Sequence, residues 1–396
     1  MRSAYGNTAT SHQSARVASV VFMSPELPLP LISVEGTPAE CGAAYGQRAA
    51  DLIAANVDTY VRRFADRAGL APSTVRAAGA AFRDATREHV PRIAAMLDGV
   101  AEGAGVGVED VYAVNGRTEL LYGTASHECT AIGVLDGRSA SGHTLLAQNW
   151  DWHPAQRPYT VLLATRDESG FEVVTMAEAG MLAKAGLNSA GVGLCVNLLG
   201  SDRDGRPGGV PYHVVLRAAL EADCLTLALR AVCSMPRSAS VNLLLGQAGG
   251  DLPGEVIDLE LVPGDVGVLH PVDGLLTHSN HFVTGLPVHD TLADKGGSSY
   301  FRGARAARLL PTGPIGAKDI AATLADHLSY PHAICRHADP RDNEDDLSET
   351  LYSVIMDLDE RRLSIAAGPP CEAATYHSVD LGVVAGQTGA PGGHNS

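Results

Sequence analysis

Helical spacing dominates the chain from residue 38 to about residue 120 and then gives way to short apolar runs, while residues 1–27 show no period. Leu31-Ile32-Ser33-Val34 reads as a short strand. Residues 38–69 place Ala44, Leu52, Ile53, Val57 and Val61 on one side of a helix. A second helical stretch runs from Ser73 to Gly103. Pro91 breaks or kinks it, because a ring-locked residue without an N–H interrupts the hydrogen-bond ladder. A third begins near Val108, where Glu109 and Asp110 suit the positive end of a helix first turn.

After Cys129 the pattern changes. Apolar runs at 130–135, 143–149, 159–165, 172–176, 181–187 and 191–198 are separated by glycine turn signals, which predicts consecutive antiparallel strands. Helices are predicted from Pro211 to Ala222 and over 224–235. Strands follow at 240–246, 255–261, 266–270 and 274–278, then helices at 299–310 and 317–328, then strands at 351–357 and 362–367. Strand runs interrupted by helical pairs predict an α+β domain of two sheets with helices outside them. The expected organisation is a flexible segment 1–30, a helical region 31–128, a sheet-bearing region 129–370 and a loose tail 371–396, all within one structural domain.

With 396 residues, 45% of them hydrophobic and 19% charged, the chain can bury a sizeable core. Its formal charge of −16, without a Lys/Arg cluster longer than a pair, argues against nucleic acid and against anionic membrane surfaces. No run of 18 apolar residues predicts a membrane span. The seven cysteines form no CxxC pair, and residues 1–30 lack a secretory pattern. A reducing, cytoplasmic location without a disulfide framework is therefore expected.

The chemistry centres on Cys129, which opens an apolar strand in His127-Glu128-Cys129-Thr130-Ala131-Ile132. Ala147-Gln148-Asn149-Trp150-Asp151-Trp152 follows it. Cutting the Glu128–Cys129 bond would give Cys129 a free α-amine beside its thiol. Thiol and amine have reference pKa values of ~8.5 and ~8, so a proton passes between them at little cost. A backbone amide cannot act as that base, so cleavage would switch activity on. Metal chemistry is not expected, nor any cofactor: neither His278-x-x-His281 nor His332-x-x-Cys335-x-His337 has a recognised zinc spacing. Gly103-Ala104-Gly105-Val106-Gly107 follows a helical pattern rather than a strand, which rejects a nucleotide-binding fingerprint.

An ordered series of short motifs resembles the autoprocessed cysteine acyltransferase and amidohydrolase family of penicillin-acyltransferase type, within the N-terminal-nucleophile hydrolases. The series runs through Gly36-Thr37-Pro38 and Tyr45-Gly46, Asn115-Gly116-Arg117-Thr118-Glu119, Cys129-Thr130 and Gln148-Asn149-Trp150-Asp151. It continues through Glu178-Ala179-Gly180, Gly186-Leu187-Asn188-Ser189-Ala190-Gly191-Val192 and Gly209-Val210-Pro211. Thr277-His278-Ser279-Asn280-His281 and Tyr330-Pro331 with Ile334-Cys335-Arg336 complete it. The resemblance implies a four-layer αββα sandwich and a precursor that cuts itself before Cys129 into associated chains of residues 1–128 and 129–396. It implies that Asp151 is an active-site carboxylate, Asn280 an oxyanion-stabilising donor and Arg336 a positive charge favouring thiolate. Asn197, at the end of its strand, is a second donor candidate. Glu128 stands where the fungal member has Gly, and Ala333 where relatives often have Ser.

These expectations describe an enzyme that passes the acyl group of a small N-acyl compound, linear or cyclic, through a thioester on Cys129. An acyl-CoA-dependent N-acyltransferase is an alternative, with Arg203, Arg206 and Arg302 as candidates for an anionic group. So is an unprocessed binding or biosynthetic accessory protein of the same fold.

Overall fold

Thr37 starts the first helix by a reciprocal cap: its hydroxyl accepts the Glu40 N–H, and the Glu40 carboxylate accepts the Thr37 N–H. The computed structural model describes residues 27–122, 128–205, 208–295, 297–373 and 375–381. Most of the expected flexible segment and tail, with His127 and Arg206, lie outside the described residues. The chain begins with β1 (Leu31–Glu35), α1 (Pro38–Arg48), α2 (Ala50–Ala68), α3 (Pro72–His89), α4 (Pro91–Ala104), α5 (Val108–Asn115) and α6 (Arg117–Leu120). Strands β2 (Cys129–Val134), β3 (Leu145–Trp152), β4 (Thr160–Arg166), β5 (Glu172–Glu178), β6 (Gly186–Asn188) and β7 (Val192–Leu198) follow. Then come α7 (Tyr212–Leu220), α8 (Leu225–Ser234), β8 (Val241–Gln247), β9 (Glu255–Val262), β10 (Asp265–Leu269) and β11 (Leu275–His278). The series ends with α9 (Ser299–Leu309), α10 (Ala317–Leu324), β12 (Glu349–Asp357), β13 (Arg362–Ala367) and β14 (His377–Asp380).

The strands form an eight-stranded sheet, β1-β4-β5-β6-β7-β8-β9-β10, and a six-stranded sheet, β11-β2-β3-β12-β13-β14. Three apolar layers hold them. Side chains of the N-terminal helices, α7 and α8 pack on the outer face of the larger sheet. Leu146, Leu162, Val174, Leu187, Leu244 and Val354 fill the space between the sheets. Ala306, Ile320 and Leu324 cover the smaller sheet from α9 and α10. The result is the four-layer αββα sandwich. In the helical layer α1 and α4 touch backbone to backbone; a Cβ on Gly42 would fall 2.0 Å from the Met96 carbonyl oxygen.

Three expectations change. The helix over 38–69 is two helices, separated at Ala49, which caps both. The strand expected over 181–187 shrinks to β6, because Gly180 turns the chain at φ +92° and Met181–Lys184 leave the ladder. The tail read as loose from 371 contributes β14, paired with β13. Its His377-Ser378-Val379-Asp380 buries only Val379, too little to show an apolar period.

For the site, the decisive pairing is β2 with β3. Cys129 faces Trp150 across the ladder, and the Asp151 N–H donates to the Glu128 carbonyl at 3.1 Å. The peptide preceding Cys129 is thus held as one more rung at the end of the β2–β3 ladder.

Candidate active site at the Glu128–Cys129 peptide

Both ends of the Glu128–Cys129 peptide are hydrogen-bonded. Its oxygen accepts from Asp151 N, and its nitrogen donates to Asn280 Oδ1 at 2.6 Å. Asn280 lies just past β11, the neighbour of β2, which brings it alongside. Arg302 Nη2 also donates to Asn280 Oδ1, at 2.8 Å. Because an amide N–H and a guanidinium can only donate, the Asn280 oxygen must face them. Its Nδ2 donates to the Leu198 carbonyl at 2.9 Å. Asn280 therefore grips the nitrogen of the Glu128–Cys129 peptide.

Glu128 is held by three groups. Its Oε2 lies 2.9 Å from Arg336 Nη1 and 3.1 Å from Arg302 Nη2, and it accepts the Ser298 hydroxyl at 2.5 Å. Burial works against its charge, but Arg302, Arg336 and Ser298 outweigh it and keep the carboxyl below its usual range. Arg302, entirely buried on α9, also donates to the Cys129 carbonyl and to Thr130 Oγ1. Among the described residues, Arg336 Nε and Nη1 make no aligned hydrogen bond, although Nη1 is in ion-pair reach of Glu128.

Asp151 is fully buried on β3. Its Oδ1 accepts the Thr350 hydroxyl at 2.6 Å, and Thr350 Oγ1 in turn accepts the Arg336 N–H at 3.0 Å. Its Oδ2 has no hydrogen-bond partner among the described residues. Burial pushes its pKa up to about 7 despite the nearby arginines. The Cys129 thiol is raised to about 12, first by burial and then by the Asp151 charge. A thiol so placed stays protonated at neutral pH.

A small cavity of about 20 Å³ reaches Cys129, with room for roughly one water. Trp150, Trp152, Val196, Leu198 and Tyr212 make most of its wall; Arg117, Thr118 and Lys184 complete it. The Lys184 ammonium lies 4.3 Å from the centroid of a Trp150 ring, 3.1 Å from Glu178 and 3.5 Å from His213 Nε2. Burial, then the Arg117 charge, lowers its pKa to about 7. Arg117 pairs with Glu178 at 3.0 Å and lies over a Trp152 ring at 3.8 Å.

Of the residues expected from sequence, Cys129, Glu128, Asp151, Asn280 and Arg336 come together. Arg336 contacts Glu128 and reaches Asp151 only through Thr350. The Asn197 side chain instead joins a bridge between the sheets, donating to Asn242 and accepting from Gln148. It is the neighbours of Asn197, Val196 and Leu198, that line the cavity. Arg203 bonds to the Pro263 and Pro287 carbonyls. His278 pairs with Glu260, His281 meets Ser299 and His332 pairs with Asp339. Sequence reasoning missed Ser298, Thr350 and Lys184. Only Lys184 carries a signal: a lone lysine in the apolar run Met181-Leu182-Ala183-Lys184-Ala185 is marked for burial.

The chain is 28% identical over 345 residues to the acyl-coenzyme A:6-aminopenicillanic-acid-acyltransferase 40 kDa form of Emericella nidulans, covering 86% of this chain and 92% of that one. Among solved structures, a variant of conjugated bile acid hydrolase from Clostridium perfringens superposes with a TM-score of 0.42 at 13% identity, over 63% of this chain and 92% of its own. Penicillin V acylase from Agrobacterium tumefaciens gives 0.40 at 14%, over 64% and 86%. These two likenesses are too distant to bear on chemistry. The sequence model of the acyl-coenzyme A:6-aminopenicillanic acid acyl-transferase family matches residues 138–372, more than half of the chain. The chain belongs to that family.

Proposed function

We propose that this protein is a self-processing cysteine enzyme that cleaves the acyl group of a small N-acyl amide, or transfers it, through a thioester on Cys129. One observation carries the reading: the Glu128–Cys129 peptide is held at its oxygen by the Asp151 N–H and at its nitrogen by Asn280. In self-cleavage the Cys129 sulfur attacks the Glu128 carbonyl carbon. Negative charge grows on the oxygen that the Asp151 N–H already contacts. The C–N bond breaks, the thiol proton passes to nitrogen, and a Glu128 thioester remains. Water then adds to the thioester, leaving a Glu128 carboxylate, a restored thiol and a free α-amine. Asp151 Oδ2, without a partner beforehand, is suited to that new ammonium. In turnover the amine would serve as base for the adjacent sulfur. The oxyanion role expected of Asn280 would then require its Nδ2 to leave Leu198.

The name of the fungal relative joins acyl-CoA to a β-lactam amine. Carried to this chain, that makes acyl transfer the competitor of hydrolysis. The largely apolar wall beside Cys129 suits an apolar acyl group. The small cavity and the protonated thiol favour one other reading, an uncleaved accessory protein. Intact-mass analysis of the purified chain separates the readings: cleavage before Cys129 in wild type but not in Cys129→Ala supports the enzyme, and a single intact chain in both refutes it. Incubation with N-acyl amines, acyl-amino acids and β-lactams should then leave an acyl mass on the fragment that begins with Cys129.

A further inference from the structure

Four side chains outside the active site converge at the loop that delivers Arg336. His327, Cys335, His337 and Cys371 each offer one ligand atom, and all four atoms lie within 4.8 Å of one another. His337 Nε2 is 3.2 Å from His327 Nε2, 3.6 Å from Cys335 Sγ and 3.3 Å from Cys371 Sγ. One ring nitrogen carries at most one proton, so His337 Nε2 cannot satisfy three neighbours by hydrogen bonding. A cation in their midst can. Zinc sits about 2.0–2.1 Å from imidazole nitrogen and about 2.3 Å from thiolate sulfur. A tetrahedron with those arms has edges of roughly 3.3 Å between nitrogens and roughly 3.5 Å between nitrogen and sulfur.

We propose that His327, Cys335, His337 and Cys371 form a structural zinc site. Two thiolates and two neutral imidazoles would balance the charge of the ion, as a half-buried site requires. Binding would release the two thiol protons to solvent and change no oxidation state. Four protein ligands leave no open position, so the ion would act as a staple rather than as a catalyst. The surroundings match a site that is already built. His337 Nδ1, on the far side of the ring, faces Glu372 at 3.5 Å, the carboxylate partner that commonly orients a metal-bound histidine. The Cys335 N–H donates to the Asp326 carbonyl and the His337 N–H to the Pro331 carbonyl, which fixes the loop. His327 and Cys371 are exposed and give the ion a way in. The staple would tie the segment beyond β13 to the loop whose Arg336 holds Glu128.

The sequence hid this set. Cys335 and His337 were visible, but the neighbouring His332 is turned to Asp339, and the remaining ligands come from the far end of α10 and from beyond β13. The test uses the full chain, purified under reducing conditions without added metal. Elemental analysis should find about one zinc per chain, retained in Cys129→Ala. After chelation, cobalt(II) should restore about one equivalent, with the visible bands of a tetrahedral site and a thiolate charge-transfer band. Cys371→Ser and His327→Ala should each weaken cobalt binding at least about 10-fold, the scale on which even outer-shell changes act. Three results would each overturn the site: no zinc together with no tetrahedral cobalt spectrum, a Cys335–Cys371 disulfide in the reduced preparation, or undiminished binding in both variants.

Discussion

On one side of Cys129, the Glu128 carboxylate faces two guanidiniums and a hydroxyl, with Asn280 on the Cys129 nitrogen. On the other, tryptophans, a tyrosine and aliphatic side chains enclose a small space into which a single ammonium, Lys184, projects. The first wall is polar, bonded and positively charged. The second is mostly apolar, with Lys184 and Arg117 as its charged groups. On the proposed function the two walls would serve two successive tasks around one sulfur: the charged wall would hold the chain to be cut, and the apolar wall would receive an acyl group. Substitutions on the two walls should therefore separate self-cleavage from turnover.

The largest effect belongs to the atom the walls share. Cys129→Ala should abolish cleavage, seen as one intact chain by mass, and lower turnover by at least about 10³-fold, as removal of a nucleophile does. Retained cleavage in that variant would place the nucleophile elsewhere.

On the charged wall, Arg302→Met leaves Glu128 with one guanidinium and frees the Cys129 carbonyl. Breaking a buried ion pair from one side typically costs about 3–5 kcal/mol. Urea unfolding in the uncleavable Cys129→Ala background should show a loss of that order. Glu128→Gln should cost less in the Arg302→Met chain than on its own, because the contact between the two is already gone. Full additivity of the two changes would mean that the Glu128–Arg302 contact carries no coupling. Next in size, Asn280→Ala should slow the appearance of the Cys129 amine by about 10²-fold, the scale for one lost polar contact to a reacting peptide. A normal rate would remove Asn280 from the cleavage step.

How far these walls could be read from the chain follows from where their residues come from. Cys129 and Asp151 belong to adjacent strands joined by a short connection, so the local apolar pattern already pointed to the hairpin. Arg117 and Glu178 stood among the resembling motifs, and their purpose is visible only in space: they build the floor beneath Trp152 and Lys184. Ser298, Arg302 and Thr350 reach the site from α9 and β12, through long-range packing that no period in the sequence encodes. Asn197 shows the reverse error. Its strand does pass the site, but side chains alternate along a strand, so its neighbours face the cavity while its own amide bridges the sheets.

The smallest effects lie on the apolar wall and sharpen the contrast most. Lys184→Met keeps length and loses charge. It should lower kcat/KM about 10-fold, a modest fraction of what a positioned proton donor or charge contributes, while the cleavage rate stays near wild type. Equal losses in both would erase the division between the walls. The same ammonium leaves a signature in stability. Facing Glu178, Arg117, His213 and Cys129, it has a pKa lowered to about 7, against about 10.4 in an unfolded chain. Between those values the unfolded state binds more protons, so folding stability should rise with pH from about 7 to about 10.4 and be lost as pH falls back through 7. The slope for one such group is at most about 1.4 kcal/mol per pH unit. Urea midpoints across that window in the Cys129→Ala background should carry this rise, and Lys184→Met should flatten it. Parallel curves with and without the ammonium would mean that Lys184 is solvated and charged, and that the wall beside the sulfur is wet rather than apolar.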